Sequence, residues 1–226
     1  MKFINTEDSN QSGDFLECCL NSLPSMNGLW FPEEIPVLDS IFLDNIHKLS
    51  FNEIAVEVLS KLLEDDSKNL KKVIDKAFNF PINQCKLTDF LHILHTYHGP
   101  TLTFKDFGAR FMANYLEEYN NEDINILVST SGDTGSAIAS AFSEKKNIPV
   151  TILYPQGGIS EIQELQLTTY GKGVYSYSIE GSFDNCQDLV KRAFSDKDLK
   201  DYRLVSANSI NLARLLPQCL YYFYSY

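Results

Sequence analysis

Lys105 stands between His98-Gly99-Pro100-Thr101-Leu102-Thr103-Phe104 and Asp106-Phe107-Gly108, a setting in which an amine can be tuned for covalent chemistry. The apolar residues that follow it, Phe107, Phe111, Met112, Tyr115, Leu116 and Tyr119, recur with a period of about 3.6 and predict a helix from about Phe104 to Tyr119. Thr103 with Asp106 reads as an N-cap and its reciprocal acid, which puts Lys105 in the first turn. An ammonium beside the positive end of a helix dipole is disfavoured, and partial burial between Phe104 and Phe107 disfavours it further. Both effects lower the expected lysine pKa, with Asp106 partly opposing them. A neutral lysine can attack an aldehyde carbon, which is what a Schiff-base enzyme requires. The alternative is an ordinary surface lysine in a first turn.

A second segment begins with Ile124-Asn125-Ile126-Leu127-Val128, whose length and β-branched content suit a buried strand. It runs into the turn Ser129-Thr130-Ser131-Gly132-Asp133-Thr134-Gly135, and Ser136 to Phe142 is small and compatible with a helix. Backbone N–H groups at such a helix start, with hydroxyls beside them, suit a carboxylate or phosphate. The glycine spacing fits neither a dinucleotide fingerprint nor a Walker A loop, and a plain βα turn is the alternative. A third segment, Asn208-Ser209-Ile210-Asn211-Leu212-Ala213-Arg214, follows the last strand and reads as another anion-receiving helix start. The fork of Arg214 suits phosphate geometry, the alternative being a capped core helix with a surface arginine.

The elements that must position these groups alternate. Ser50 with Glu53 is a capping box that opens a helix through Phe51, Ile54, Val58, Leu59 and Leu62, and Leu70 to Phe78 suggests a second helix before Pro81. Strands are expected at 124–130, 149–154, 173–179 and 203–207, with helices at 136–144, 159–170 and 183–195. Alternation at this spacing means βαβ units. The expected fold class is therefore α/β, with a helical N-terminal section over residues 1–97 and a mostly parallel, doubly wound sheet over residues 98–226. Ligands of such sheets sit at the carboxyl ends of the strands, where the Ser131 and Asn208 turns both lie.

At 226 residues and 44% hydrophobic content the chain can bury a substantial core. A net charge of −11 argues against nucleic acid or an anionic membrane surface as partner. No apolar stretch approaches bilayer-spanning length and the N-terminal residues lack a signal peptide's apolar region, so a cytoplasmic protein is expected. Cys18, Cys19, Cys85, Cys186 and Cys219 are odd in number and form no C-x-x-C pair, so they read as reduced thiols. His92, His95 and His98 recur every third residue, but no carboxylate completes a metal-site spacing, and no metal is expected.

Together these segments resemble the threonine synthases, pyridoxal 5'-phosphate (PLP) enzymes of the tryptophan-synthase β-like fold group, fold type II. His98-Gly99-Pro100-Thr101-x-x-Phe104-Lys105-Asp106-Phe107 is similar to that family's cofactor-lysine motif. Thr130-Ser131-Gly132-Asp133-Thr134-Gly135 is similar to its substrate-carboxylate loop. Gly28-Leu29-Trp30-Phe31-Pro32, Ser182-Phe183-Asp184-Asn185-Cys186-Gln187 and Asn208-Ser209-Ile210-Asn211-x-x-Arg214 agree in order, so the resemblance runs along the whole chain. The loop Tyr154-Pro155-Gln156-Gly157-Gly158-Ile159-Ser160 departs from the family, which usually places basic residues near Gln156 and Gly158.

The resemblance implies conversion of O-phospho-L-homoserine and water to L-threonine and phosphate. Lys105 would carry PLP covalently and then act as general base, and Asp133 would lie near the cofactor's phenolic oxygen. Ser131 and Thr134 would hold the substrate α-carboxylate, and Asn208, Ser209 and Arg214 its phosphate. The family's glycine-rich cradle for the cofactor phosphate lies beyond Tyr226, and an apolar run from Leu215 to Tyr224 closes the chain. Both imply the N-terminal half of a longer enzyme, incomplete as a PLP fold and binding the cofactor weakly or not at all in isolation. Two rivals share these motifs: a phospholyase releasing a keto acid and ammonia, and a non-catalytic fragment serving as a binding module.

Overall fold

The computed structural model describes residues 1–24, 28–143, 145, 147–171 and 173–226. The front of the chain holds a small sheet followed by two amphipathic helices that pack on each other. Strands β1 (Phe3–Asn5), β2 (Ser12–Gly13) and β3 (Trp30–Pro32) pair antiparallel in the order β2-β1-β3, with helix α1 (Phe15–Leu20) between β2 and β3. After a short helix α2 (Ser40–Asn45) come α3 (Phe51–Leu63) and α4 (Lys68–Ala77). Helix α3 opens on the expected capping box: the Ser50 N–H donates to Glu53 Oε2 at 2.7 Å, and the Glu53 N–H donates to Ser50 Oγ at 3.4 Å. The α4 cap is Ser67, whose hydroxyl accepts the Leu70 N–H. A hairpin of β4 (Asn83–Thr88) and β5 (Leu91–His95) then stands out from the body, with Phe90 at its turn 99% exposed. Neither this hairpin nor the small sheet is expected from a helical reading of the front section. Their strands are too short, or too exposed, to leave a period-2 signal.

The rest alternates as the sequence predicts. Helix α5 (Lys105–Tyr119) leads into β6 (Asn125–Ser129), α6 (Asp133–Phe142), β7 (Val150–Pro155), α7 (Glu161–Thr168), β8 (Val174–Ile179), α8 (Phe183–Ser195) and β9 (Leu204–Ser206), followed by α9 (Leu212–Leu215) and α10 (Leu220–Ser225). The four strands form one parallel sheet in the order β8-β7-β6-β9. In β6 the consecutive residues Ile126, Leu127, Val128 and Ser129 are all buried, so this strand is covered on both faces, as a continuous apolar run requires. Helix α6 begins three residues earlier than its apolar spacing suggests, at Asp133 rather than Ser136. The expected end at residue 144 lies outside the described residues.

What fixes the site is the anchoring of α5. Phe107, fully buried, is ringed by Phe51 at 5.5 Å, Phe78 at 5.9 Å, Phe80 at 4.9 Å and Tyr221 at 5.5 Å between ring centroids. Burying such a ring contributes about 1.5–3 kcal/mol, and edge-on contacts add to it. Further along, Phe111 and Tyr115 pack on Phe15 of α1. The first turn of α5 is therefore held by elements from both ends of the chain. The closing apolar run is partly consumed in this packing: Leu220 and Tyr221 are buried and the Tyr224 hydroxyl donates to the Ile82 carbonyl at 3.3 Å, while Leu215 and Tyr222 stay exposed.

Candidate active site

Lys105 is the first residue of α5, and its side chain leaves the body toward the carboxyl end of β6. The amine lies 3.4 Å from Asp133 Oδ2 and 4.6 Å from the centroid of the Phe104 ring, and the side chain is 23% exposed. It is accessible without being loose. Asp133 is the first residue of α6, so the pair bridges two helix N-termini. A cation there is unfavourable and an anion favourable, and pairing them offsets the misplaced lysine charge.

The turn that presents Asp133 is organised by Thr130. Its buried hydroxyl accepts the Gly132 N–H at 3.0 Å and the Gly135 N–H at 2.8 Å, and lies 3.1 Å from the Gly132 carbonyl, to which it donates. Gly132 has φ 137° and ψ −99°, a conformation that L side chains rarely adopt, which explains a glycine at this cap. Ser131 is exposed and Thr134 half-buried, so both hydroxyls reach the surface beside Asp133. From the next loop, Gln163 of α7 donates its Nε2 amide to Asp133 Oδ1 at 2.8 Å. One carboxylate oxygen of Asp133 thus faces Gln163 and the other Lys105.

The cap ahead of Lys105 differs from the one its sequence suggests. Phe104 is the helical N-cap residue and makes no side-chain cap bond, and the Lys105 N–H reaches Thr103 Oγ1 only at 3.5 Å. Asp106 instead turns inward, fully buried, and accepts the Thr101 N–H at 2.9 Å and the Thr101 hydroxyl at 2.8 Å. These bonds tie down a turn in which Leu102 adopts a left-handed φ of 58°, a conformation costing a branched residue about 1–3 kcal/mol. Burial pushes the Asp106 carboxyl above its usual range, opposed by the Thr101 bonds and by Arg110.

The third predicted segment also needs correction. The helix after β9 spans only Leu212–Leu215 and is capped by Asn211, whose side chain accepts the Ala213 N–H at 2.9 Å; Asn208 and Ser209 precede it rather than open it. Arg214 is neither a surface residue nor a fork standing out from a helix start. It is 1% exposed and donates from Nη1 to the Ala207 carbonyl at 2.6 Å. Burial pulls its guanidinium down to about 10, with the Asp106 carboxylate opposing, so it remains charged at neutral pH. A Cβ on Gly108 would fall 2.5 Å from the Arg214 carbonyl oxygen and 3.1 Å from Nε, which places Arg214 against α5 one turn beyond Lys105. The Nε of Arg214 and the Oδ1 of Asn208 are buried without a partner, unlike most buried polar atoms. Ser209 is exposed.

The structure therefore brings Lys105, Asp133, Ser131 and Thr134 to one sheet end, and sets Arg214 behind the helix that bears the lysine. Thr130 and Gln163 are the organising residues that sequence reasoning missed. Ser160-x-x-Gln163 has capping-box spacing, a signal that predicts the cap though not the reach of the amide to another loop. Among the described residues no helix is long and apolar enough to cross a membrane.

Comparison with known proteins agrees with this geometry. The family described as "Pyridoxal-phosphate dependent enzyme" matches residues 83–214, and "Threonine synthase N terminus" matches residues 2–78. The chain is 46% identical to the threonine synthase of Buchnera aphidicola (subsp. Acyrthosiphon pisum, strain APS), over 99% of this chain and 53% of the relative. The crystal structure of threonine synthase from Escherichia coli aligns with a TM-score of 0.91 at 41% identity, covering 99% of this chain and 53% of that one. PLP-bound threonine synthase from Brucella melitensis aligns with a TM-score of 0.91 at 32% identity, covering 100% of this chain and 51% of that one. The chain spans about half the length of the curated relatives it matches. With a lysine and an acid meeting at the carboxyl end of a parallel sheet, inside the matched residues 83–214, the chain belongs to the pyridoxal-phosphate-dependent enzyme family.

Proposed function

We propose that this chain carries the lysine-bearing part of a threonine synthase, which converts O-phospho-L-homoserine and water to L-threonine and phosphate. The observation that carries the reading is the Lys105 amine, accessible and 3.4 Å from Asp133, in a chain that is similar to threonine synthases over nearly its whole length. The residues present fit PLP. A reachable amine can hold its aldehyde carbon, and an acid with one oxygen already turned toward that amine can face its phenolic oxygen. When bound, PLP supplies an electron sink for the α-carbon of an amino-acid substrate.

The chain's own residues have distinct duties. Lys105 anchors the cofactor and moves the substrate α-proton, accepting it at Nζ once the anchoring bond is exchanged. Ser131 and Thr134, with the N-terminus of α6, receive the α-carboxylate. Asn208, Ser209 and Arg214 receive the phosphate, a reading supported by the charge of Arg214 and its unpartnered Nε–H donor. Asp106 and Thr130 hold the two loops in place. A cytoplasmic location goes with this reading, supported by free cysteines, three of them buried, which suit a reducing compartment.

The test is phosphate and threonine release from O-phospho-L-homoserine by the full-length gene product with PLP. Phosphate with threonine supports the reading. Phosphate with a keto acid and ammonia would assign a phospholyase, and no turnover by a folded, full-length protein would assign a binding module.

A further inference from the structure

We infer that Gln163 is a positioning residue for the reaction: it bridges the loops after β6 and β7 and fixes Asp133 so that one carboxylate oxygen is presented to Lys105. The inference rests on the reading that Lys105 carries the cofactor. Both ends of the Gln163 amide are engaged. Its Oε1 accepts the Ser160 N–H at 3.1 Å and the Ser160 hydroxyl at 3.2 Å, and its Nε2 donates to Asp133 Oδ1 at 2.8 Å. The opposite oxygen, Oδ2, is the one that meets Lys105. A donor on Oδ1 therefore selects which carboxylate edge faces the amine.

The path of this side chain is specific to the turn it crosses. A Cβ on Gly132 would lie 2.3 Å from Gln163 Nε2 and 2.5 Å from its Cδ, so the amide passes through space left by the absent side chain. Asp133 itself is half-exposed, and without this contact its rotamer would be set by water and by Lys105 alone. A carboxamide suits the position because it can accept from Ser160 and donate to Asp133 at once. A carboxylate could serve only the first duty.

That asymmetry separates positioning from helix capping. Gln163→Glu keeps the cap, since glutamate is a preferred partner in the S-x-x-E box, but sets a negative charge against Asp133. The experiment treats the full-length gene product with PLP and borohydride, and quantifies the reduced cofactor adduct on the Lys105 peptide by mass spectrometry. We expect the Gln163→Glu variant to melt within about 2 °C of the parent and to capture PLP at Lys105 at least about threefold more slowly, because repulsion between the two carboxylates turns Asp133 out of its place beside the amine. Combining it with Asp133→Asn restores a donor and an acceptor in reversed order, and should recover about half or more of the lost rate, as coupled neighbours do. Capture by Gln163→Glu at the parent's rate overturns the inference, and so does a loss that the double substitution leaves unrelieved. Phosphate release from the same samples distinguishes the wider reading. A parent that captures PLP at Lys105 but releases no phosphate contradicts threonine synthase while the capture comparison still decides the role of Gln163. A parent that captures none at Lys105 overturns both.

Discussion

The carboxylate of Asp106 accepts the backbone N–H of Thr101 at 2.9 Å and its hydroxyl at 2.8 Å, fully buried beneath the turn that precedes Lys105. The residue next to Lys105 is thus a loop clamp, and it also opposes the burial penalty of Arg214. Asp106→Asn keeps one acceptor oxygen and should cost about 1–3 kcal/mol, whereas Asp106→Ala leaves Thr101 unpaired and Arg214 without its counter-charge and should cost about 3–5 kcal/mol. Urea denaturation measures both, and equal costs would contradict the clamp.

Lys105→Ala should separate chemistry from folding. The side chain makes one ion pair with a half-exposed acid, so stability should change by no more than about 1 kcal/mol. Phosphate release from O-phospho-L-homoserine by the full-length protein should fall by a factor of at least about 100, the lower range for losing a general base. An adduct of PLP on any other lysine, with activity retained in the variant, would reject the assignment.

Gly108→Ala tests the contact between α5 and α9. The added methyl would meet the Arg214 carbonyl oxygen at 2.5 Å, and this obstacle is backbone, so it cannot rotate away. Overpacking of this kind costs about 1–3 kcal/mol. Thermal melting should show the loss, and turnover should fall with it if Arg214 moves.

Acid stability depends on a half-buried hydroxyl pair at the far end of α5. Burial would raise the Asp65 carboxyl, but hydrogen bonds from Tyr119 and from Ser67 outweigh it and hold the group below its ordinary 3.8. A folded-state value below the unfolded one contributes stability that is complete above the unfolded value and is lost as pH falls through the folded one. Tyr119→Phe should therefore cost about 1.5–3 kcal/mol at pH 7, the range for a hydrogen bond to a charged group, and the difference from the parent should shrink as pH drops below 3.8. A difference independent of pH would assign the loss to packing.

The sequence made the α/β order legible because each element carries its own period. Phe107 to Tyr119 repeat as a helix, Ile126 to Val128 form a short buried run, and Ser50 with Glu53 closes a capping box ahead of α3. The place of Lys105 at the start of α5 and the Ser131 to Thr134 turn were legible for the same local reason. What escaped were relationships across the chain. Asp106 faces Thr101 through a loop fold that no periodicity reports, and Gln163 meets Asp133 only because parallel strands bring successive loops to one end. Arg214 misled because a charged side chain reads as surface, while its burial is decided by the glycine opposite it on α5.

The sheet order has a consequence for how the chain matures on the ribosome. Ile126 finds its first neighbour in Val150, a short distance downstream, but its other neighbour, Val205, belongs to β9, much further along the chain. Until that strand emerges, one flank of this buried apolar strand offers unpaired amides and carbonyls to any passing chain. Newly made copies are most prone to aggregate in that interval, and pairing on that flank of β6 must wait for translation to reach β9.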